Sequence, residues 1–157
     1  MTPASLHLRY QLDQMGPTPA ALPAGTRFVR FEPAHHARPA RFLLNAAYRE
    51  GGGRVEEFDA WWPRLVADEE YDPALCFVVS AASDDALIGF AHCWTGAFIK
   101  DIAVALDWRN SGVGTALMQQ IFQTFRARGA GQVELKVEAS NPHGAISFYR
   151  KLGMKPA

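Results

Sequence analysis

Hydrophobic and polar positions change period several times along this chain. Leu6, Leu8, Tyr10 and Leu12 alternate with His7, Arg9 and Gln11, the two-residue period of a short strand. Gly16, Pro17, Pro19 and Pro23, set among alanines, then read as an extended linker. Residues 1–25 therefore form an amino-terminal segment apart from the main domain at 26–157. A tail without fixed structure is the plainer reading of that segment, and an added edge strand the more specific one. Phe28-Val29-Arg30-Phe31 is a strand that Glu32-Pro33 ends. Phe42, Leu43, Ala46 and Ala47 fall at helical spacing, with Gly51-Gly52-Gly53 as the stop. Residues 55–67 read as a second helix with Phe58, Trp62 and Val66 along one side, and Pro63 should kink or divide it.

An acidic loop follows: Asp68, Glu69, Glu70, Tyr71, Asp72, Pro73. Residues 75–82 are apolar and partly β-branched, Ser83-Asp84-Asp85 is a turn, and residues 87–94 return as the antiparallel partner. Residues 97–104 make a third strand. Residues 112–128 are a long helix, with Leu117, Ile121 and Phe125 spaced by four, Met118 and Phe122 beside them, and Gly129 as the stop. Val133, Leu135, Val137 and Ala139 alternate with Glu134, Lys136, Glu138 and Ser140, a half-buried strand. Asn141-Pro142 supplies an N-cap and a first-turn proline for a last helix lined by Ala145, Phe148, Tyr149 and Leu152 and closed by Gly153. This order of elements defines a layered α/β (α+β) domain.

Composition narrows the function. The chain has 157 residues, 48% apolar and 20% charged, which suits a soluble single domain. Sixteen basic and sixteen acidic side chains leave no net charge, so nothing drives sequence-independent binding to nucleic acid. No membrane span and no signal peptide is visible, and the cytoplasm is the default compartment. Cys76 and Cys93 do not amount to a secreted disulfide framework, and Cys93 lacks the partners of a nucleophile. His35, His36 and Glu50 lack metal-ligand spacing, so no metal is expected.

The chemistry gathers where the third strand runs into the long helix, from Asp101 through Arg109 to Gly112, Gly114 and Thr115. The first N–H groups of a helix lack intrahelical partners and sit at the positive end of its dipole. Glycines let a bulky anion come close to them. A Gly-x-Gly at this place is equally compatible with a simple tight turn. Leu117 occupies the position where a dinucleotide fingerprint needs a third small residue, and no Gly-Lys-Ser/Thr is present, so both standard nucleotide loops are excluded.

The stretch resembles the acyl-CoA motif of the GNAT N-acetyltransferase superfamily, Arg/Gln-x-x-Gly-x-Gly/Ala after a strand ending Asp-Leu-x-Val. Here Asp101-Ile102-Ala103-Val104 precedes Arg109, Gly112 and Gly114 in step. A second family element, Asn-x-x-Ala/Gly and then Phe-Tyr-x-Lys-Leu-Gly-Phe, reads Asn141, Gly144 and Phe148-Tyr149-Arg150-Lys151-Leu152-Gly153-Met154. Ile88-Gly89-Phe90-Ala91 fits the preceding strand, and the resemblance covers about residues 26–154. It implies a mixed, mostly antiparallel central sheet with helices on both faces and a V-shaped splay between two parallel strands. It also implies acetyl-CoA (coenzyme A) as cofactor and a small-molecule or peptide amine as acceptor.

On this resemblance, backbone groups of Ile102 and Val104 pair with the pantetheine arm, as an added strand does. The N–H groups of Ser111, Gly112, Val113, Gly114 and Thr115 hold the pyrophosphate, Arg109 adds charge, and Asn141 and Phe148 complete the cofactor site. Asn141 serves equally as an ordinary N-cap. Tyr149 is the candidate acid for the departing thiolate, against plain core packing. For the base, Asp101 is preferred over Glu138 and His92. Asp101 and Glu138 differ in strand parity, so only one of them points into the cleft. Trp61, Trp62, Tyr71 and the acidic loop fall where the family places its variable acceptor site. The alternative of another class is a catalytically silent acyl-CoA-binding module.

The chain departs from the family in one respect. Members continue with two more strands after the Phe-Tyr element, whereas Ala157 is the last residue here. The strand before Asn141 would then have an open edge. The alternating stretch from Leu6 to Leu12 could fill it within one chain or by exchange in a homodimer, or a helix could cover it.

Overall fold

The computed structural model describes residues 5–14, 16, 21–51, 54–138 and 144–157. In chain order the elements are β1 (Ser5–Gln11), β2 (Thr26–Arg30), α1 (Pro33–Gly51), α2 (Phe58–Ala67), β3 (Cys76–Ala81), β4 (Leu87–Trp94), β5 (Phe98–Val104), α3 (Val113–Ala127), β6 (Gln132–Glu138), α4 (Ala145–Lys151) and β7 (Lys155–Pro156). The strands form one sheet in the order β2-β3-β4-β5-β6-β1-β7. Every neighbouring pair is antiparallel except β5 and β6, which run parallel.

Each face of the sheet has its own core. Phe31, Leu44, Trp61, Leu65, Val78, Phe90 and Ala103 pack where α1 and α2 cover one face. Leu8, Val79, Leu117, Ile121, Phe125, Val133, Leu135 and Tyr149 pack on the other, under α3 and α4. The strand periodicity supports this division, since successive side chains point to opposite faces.

β1 lies beside β6 in a seven-position antiparallel register from Ser5↔Glu138 to Gln11↔Gln132. Leu8 and Leu12 bring their side chains into the α3 core. On the opposite face Arg9 pairs with Glu134 at 2.7 Å, and His7 meets the same carboxylate. The alternating stretch thus occupies the edge next to β6 within the same chain.

Two helical expectations change. Glu32 is the cap and Pro33 the first residue of α1, the favoured place for proline, and the helix runs on past Pro39. Phe42 points out, 75% exposed, while Leu43 and Leu44 point in. In α2 the inward residues are Trp61 and Leu65, and Val66 is exposed. Pro63 does not divide α2, because it sits on the exposed side, where water can satisfy the carbonyl that loses its donor.

The detail that positions the site is a bulge in β5. Opposite β4 the register runs His92↔Asp101 and then Cys93↔Ile99, so Lys100 is the extra residue. A bulge bends its strand and re-aims the side chains beyond it. On the other side of β5, pairing with β6 covers only Phe98↔Glu134 and Ile99↔Leu135. The parallel strands part at Lys100, leaving an open wedge bounded by 101–104 and 136–138.

Candidate active site

The wall of the wedge ends at the start of α3. After Val104 the chain makes a 3-10 turn over Leu106–Trp108 and then passes Asn110 and Gly112, with φ of 60° and 101°. Gly112 is the N-cap and offers no side-chain hydrogen bond. The first internal bond of α3 runs from the Ala116 N–H to the Gly112 carbonyl at 3.0 Å. The N–H groups of Val113, Gly114 and Thr115 precede it and face out of the helix end. No atom lies within 4 Å of where a Cβ on Gly112 would stand. Gly89 lets the helix seat: a Cβ there would lie 3.0 Å from Val113 Cγ1. A Cβ on Gly114 would come within 3.3 Å of Phe148 and 3.8 Å of Val104, so these three residues converge at the head of the wedge.

Two side chains of the loop are already committed. The Ser111 hydroxyl donates to the Trp108 carbonyl, which leaves Ser111 its backbone N–H for a ligand. Arg109 donates from Nε to the Val104 carbonyl at 3.3 Å, and its Nη1 lies 3.3 Å from a Glu50 carboxylate oxygen. Ile102 and Val104 sit half-buried toward the α3 core, and among the described residues their strand edge has no β6 partner. Asn141 lies outside the described residues.

On the α1 face a polar group fills the angle of the wedge. Asp101, 9% exposed, accepts a hydrogen bond from the Tyr48 hydroxyl at 2.5 Å. Burial, and then the Asp101 charge, hold the Tyr48 phenol well above its ordinary value, so it remains a proton donor. His92 faces Asp101 across the β4–β5 ladder and is fully buried. Burial drives its imidazole down to about 4 against the opposing Asp101 charge, so His92 is neutral at pH 7. Tyr149, on α4 beside Phe148, is pushed up to about 12 by burial.

The bulge corrects the parity expectation. Val133, Leu135 and Val137 point toward α3, so Glu134, Lys136 and Glu138 point to the α1 face. Without Lys100 as an extra residue, Asp101 would share the α3 face with Ile99. With it, Asp101 moves to the face of Ala103 and Glu138. Both carboxylates therefore border the same side of the wedge. The sequence reading did not identify Tyr48. Its only signal was helical spacing with the buried Leu44, which says nothing about which strand it meets.

Comparison with known proteins settles the family. A model of the acetyltransferase (GNAT) family matches residues 33–154. The chain belongs to that family. It is similar to the mycothiol acetyltransferase of Beutenbergia cavernae, 30% identical over 86% of this chain and 47% of that protein. It is also similar to an N-acetyltransferase of uncharacterized role from Methanocaldococcus jannaschii, 42% identical over 43% of this chain and 34% of that one. A crystal structure of a GNAT protein from Sphaerobacter thermophilus superposes with a TM-score of 0.81 at 26% identity, over 99% of this chain and 50% of that one. The chain thus spans a third to a half of the length of these relatives. The wedge, the end of α3 and the Phe148-Tyr149 pair all fall within the residues that the family model matches.

The aromatic and acidic residues expected to meet an acceptor are largely bound into the GNAT domain itself. Trp61 is core, with the buried Arg41 guanidinium 5.1 Å above its ring, and Trp62 packs edge-on to Tyr71 at 5.9 Å. Asp68 caps the Glu70 N–H and Glu70 caps Gly96. Asp72 caps Ala74 and pairs with Arg128 at 2.9 Å. Cys76 and Cys93 are free and buried, and burial raises both thiols.

Proposed function

We propose that this chain is an acetyl-CoA-dependent N-acetyltransferase acting on a primary amine of a small molecule or peptide, by direct attack in a ternary complex. The observation that carries this reading is the uncapped, glycine-flanked end of α3 at the head of a wedge between parallel strands. Its fit to acyl-CoA is one of shape and polarity: three outward N–H groups for a diphosphate, and an unpaired strand edge for an extended amide-bearing arm. Ser111, Gly112, Val113, Gly114 and Thr115 would hold the phosphates through backbone N–H groups. Ile102 and Val104 would pair with the arm, with Phe148 and Asn141 beside it and Arg109 at the mouth. When bound, acetyl-CoA supplies an activated acetyl group.

The chain's own residues manage protons and position. A protonated amine has no lone pair, so a group must take its proton before attack. Asp101 is that group, held in place by Tyr48. The Tyr149 hydroxyl donates toward the leaving sulfur. Its level near 12 lies above the ~8.5 of an ordinary thiol. Tyr149 therefore stabilises developing charge by a hydrogen bond and does not simply surrender its proton. Holding both reactants in the wedge replaces a covalent enzyme intermediate.

The experiment combines calorimetry of coenzyme A binding with thiol release from acetyl-CoA over a panel of aminoglycosides, polyamines, amino acids and peptides. Micromolar binding with amine-dependent thiol release supports the proposal. Tight binding without release for any amine would replace it with a silent acyl-CoA-binding module, and absent binding would reject both.

A further inference from the structure

The β1–β7 edge of the sheet carries a small hollow of about 170 Å³. It is lined by Arg9, Gln11 and Gln14 from the amino-terminal segment and by Gly153, Lys155 and Pro156 from the other side. Sites for whole small molecules take ~300–1,000 Å³, so this room suits an ion or a compact head group. Both charged side chains of the lining are basic. The hollow also lies away from the head of the wedge. Arg9 stands in register with Glu134, and Glu134 with Phe98, where β5 and β6 are still paired. The end of α3 follows Val104, at the opposite end of β5.

Across the sheet from β6 through β1 to β7, one row reads Glu134, Arg9, Lys155: one anion and then two cations. Register partners on antiparallel strands share a face, and like charges set opposite one another repel. Glu134 serves only the first cation. It accepts from Arg9 Nε at 2.8 Å and from Nη2 at 2.7 Å. That contact orients the guanidinium and leaves the Nη1 edge of its fork for another acceptor. Among the described residues, Lys155 meets no carboxylate, and the side-chain amides of Gln11 and Gln14 make no hydrogen bond. We propose that the hollow binds a small phosphate dianion, as the free ion or as a monoester, between Arg9 and Lys155. The ligand places negative charge between the two cations and so relieves their repulsion. Arg9 presents an oriented fork, Lys155 a point charge, and the two glutamines neutral donors. These donors come from β1, from the 3-10 turn after it and from β7. Convergence from three directions matches a tetrahedral oxyanion better than a planar carboxylate.

An anion held there also bears on the fold. β7 is two residues long and follows α4, the helix that carries Tyr149. Bridging Lys155 to Arg9 ties β7 to β1, so an occupied hollow stabilises the run from α4 to Ala157. A ligand that binds only the folded chain stabilises it by mass action. None of this depends on the acetyl-transfer reading.

The test titrates inorganic phosphate into ¹⁵N-labelled protein at pH 8, where phosphate is mainly the dianion, with chloride holding the ionic strength constant. The backbone amides of Gln11, Gln14, Gly153 and Lys155 should shift along one saturable curve, with a Kd of about 1–5 mM. Lys155 is exposed, so Lys155→Ala should fold as the wild type does and bind about tenfold more weakly. Glu134→Gln removes the charge that competes for Arg9, and affinity should rise about twofold. A response confined to Val113–Thr115 would overturn the proposal, as would a shift that never saturates. A response at the hollow that survives unchanged in Lys155→Ala would overturn it equally. Glycerol 3-phosphate and malonate complete the series. Glycerol 3-phosphate binding as tightly as phosphate assigns the hollow to monoesters, and weaker binding assigns it to the free ion. Malonate binding as tightly as phosphate would overturn the assignment to phosphate.

Discussion

The two faces of the wedge are built from different material. On the α3 face the candidate chemistry belongs to the backbone: Gly112 at +101°, three helix-end N–H groups without an intrahelical partner, and the edge at Ile102 and Val104, unpaired among the described residues. Side chains there either withdraw, as in the two glycines, or turn away, as in Ser111 and Arg109. On the α1 face the candidate chemistry belongs to side chains from three elements: Tyr48 on α1, His92 on β4 and Asp101 on β5. A backbone site tolerates many side chains but no change in local conformation. A side-chain cluster tolerates backbone variation but depends on the identity of each member.

The largest expected effect separates the faces most sharply. Asp101→Asn should lower turnover by roughly 10²–10⁴-fold, the range of a lost acid–base group, with coenzyme A affinity within about twofold of wild type. Parallel losses in turnover and affinity would show that the two faces are not independent. The mirror experiment is Gly112→Val. A β-branched residue at φ +101° costs about 1–2 kcal/mol in the backbone, and its methyls would stand where the phosphates approach. Coenzyme A affinity should fall about 100-fold, worth ~2.7 kcal/mol. Isothermal calorimetry on both variants would check the pair.

The same division explains what could be read in advance. Gly112, Gly114 and Arg109 announce the α3 face because glycine spacing before an apolar helix is a local signal. The alternation of Leu6, Leu8, Tyr10 and Leu12 is likewise local, and β1 follows it. The α1 face depends on a register shift of one residue. Nothing in Phe98-Ile99-Lys100-Asp101 distinguishes a bulge from a regular strand, yet the bulge decides which face Asp101 takes. Tyr48 is silent for the same reason: helical spacing buries it, but only the packing of α1 on β5 gives it Asp101 as a partner. Phe42 and Val66 misled because helical spacing alone gives a face and not its direction.

A smaller effect tests the electrostatic side of the comparison. The His92 imidazole titrates near 4 in the folded chain and near 6.5 when unfolded. Well above pH 6.5 both states are neutral there and His92 contributes no pH dependence. As pH falls from 6.5 to 4, the unfolded chain binds a proton that the folded one refuses, so stability declines. A difference of two to three pKa steps amounts to about 3 kcal/mol over that window. Denaturant melts of wild type and His92→Phe between pH 4 and 7 should diverge by this amount, the variant losing less on acidification. Coincident curves would mean the imidazole is already solvated. Among the described residues, the shifted groups packed on the α3 face, Cys93 and Tyr149, are raised and not lowered, so Gly112→Val should keep the wild-type slope.

The smallest expected effect concerns Arg109, the side chain that the motif places at the backbone face. Its guanidinium is partly exposed and shared between the Val104 carbonyl and Glu50, at 3.3 Å to each. A pair of that exposure contributes on the order of 0.5 kcal/mol. Binding a diphosphate with this side chain requires it to leave both partners, and leaving also frees the Val104 carbonyl for the pantetheine arm. Arg109→Ala therefore loses a charge and gains a vacant acceptor, two changes of opposite sign. Coenzyme A affinity should fall by less than about tenfold, or ~1.4 kcal/mol, and less still at high salt. Glu50→Gln neutralises the competing partner, so affinity should rise by a factor of about two. Calorimetric titration at two ionic strengths would check both. A loss in Arg109→Ala as large as in Gly112→Val would transfer the phosphate site from backbone to side chain, and the contrast between the two faces would fall with it.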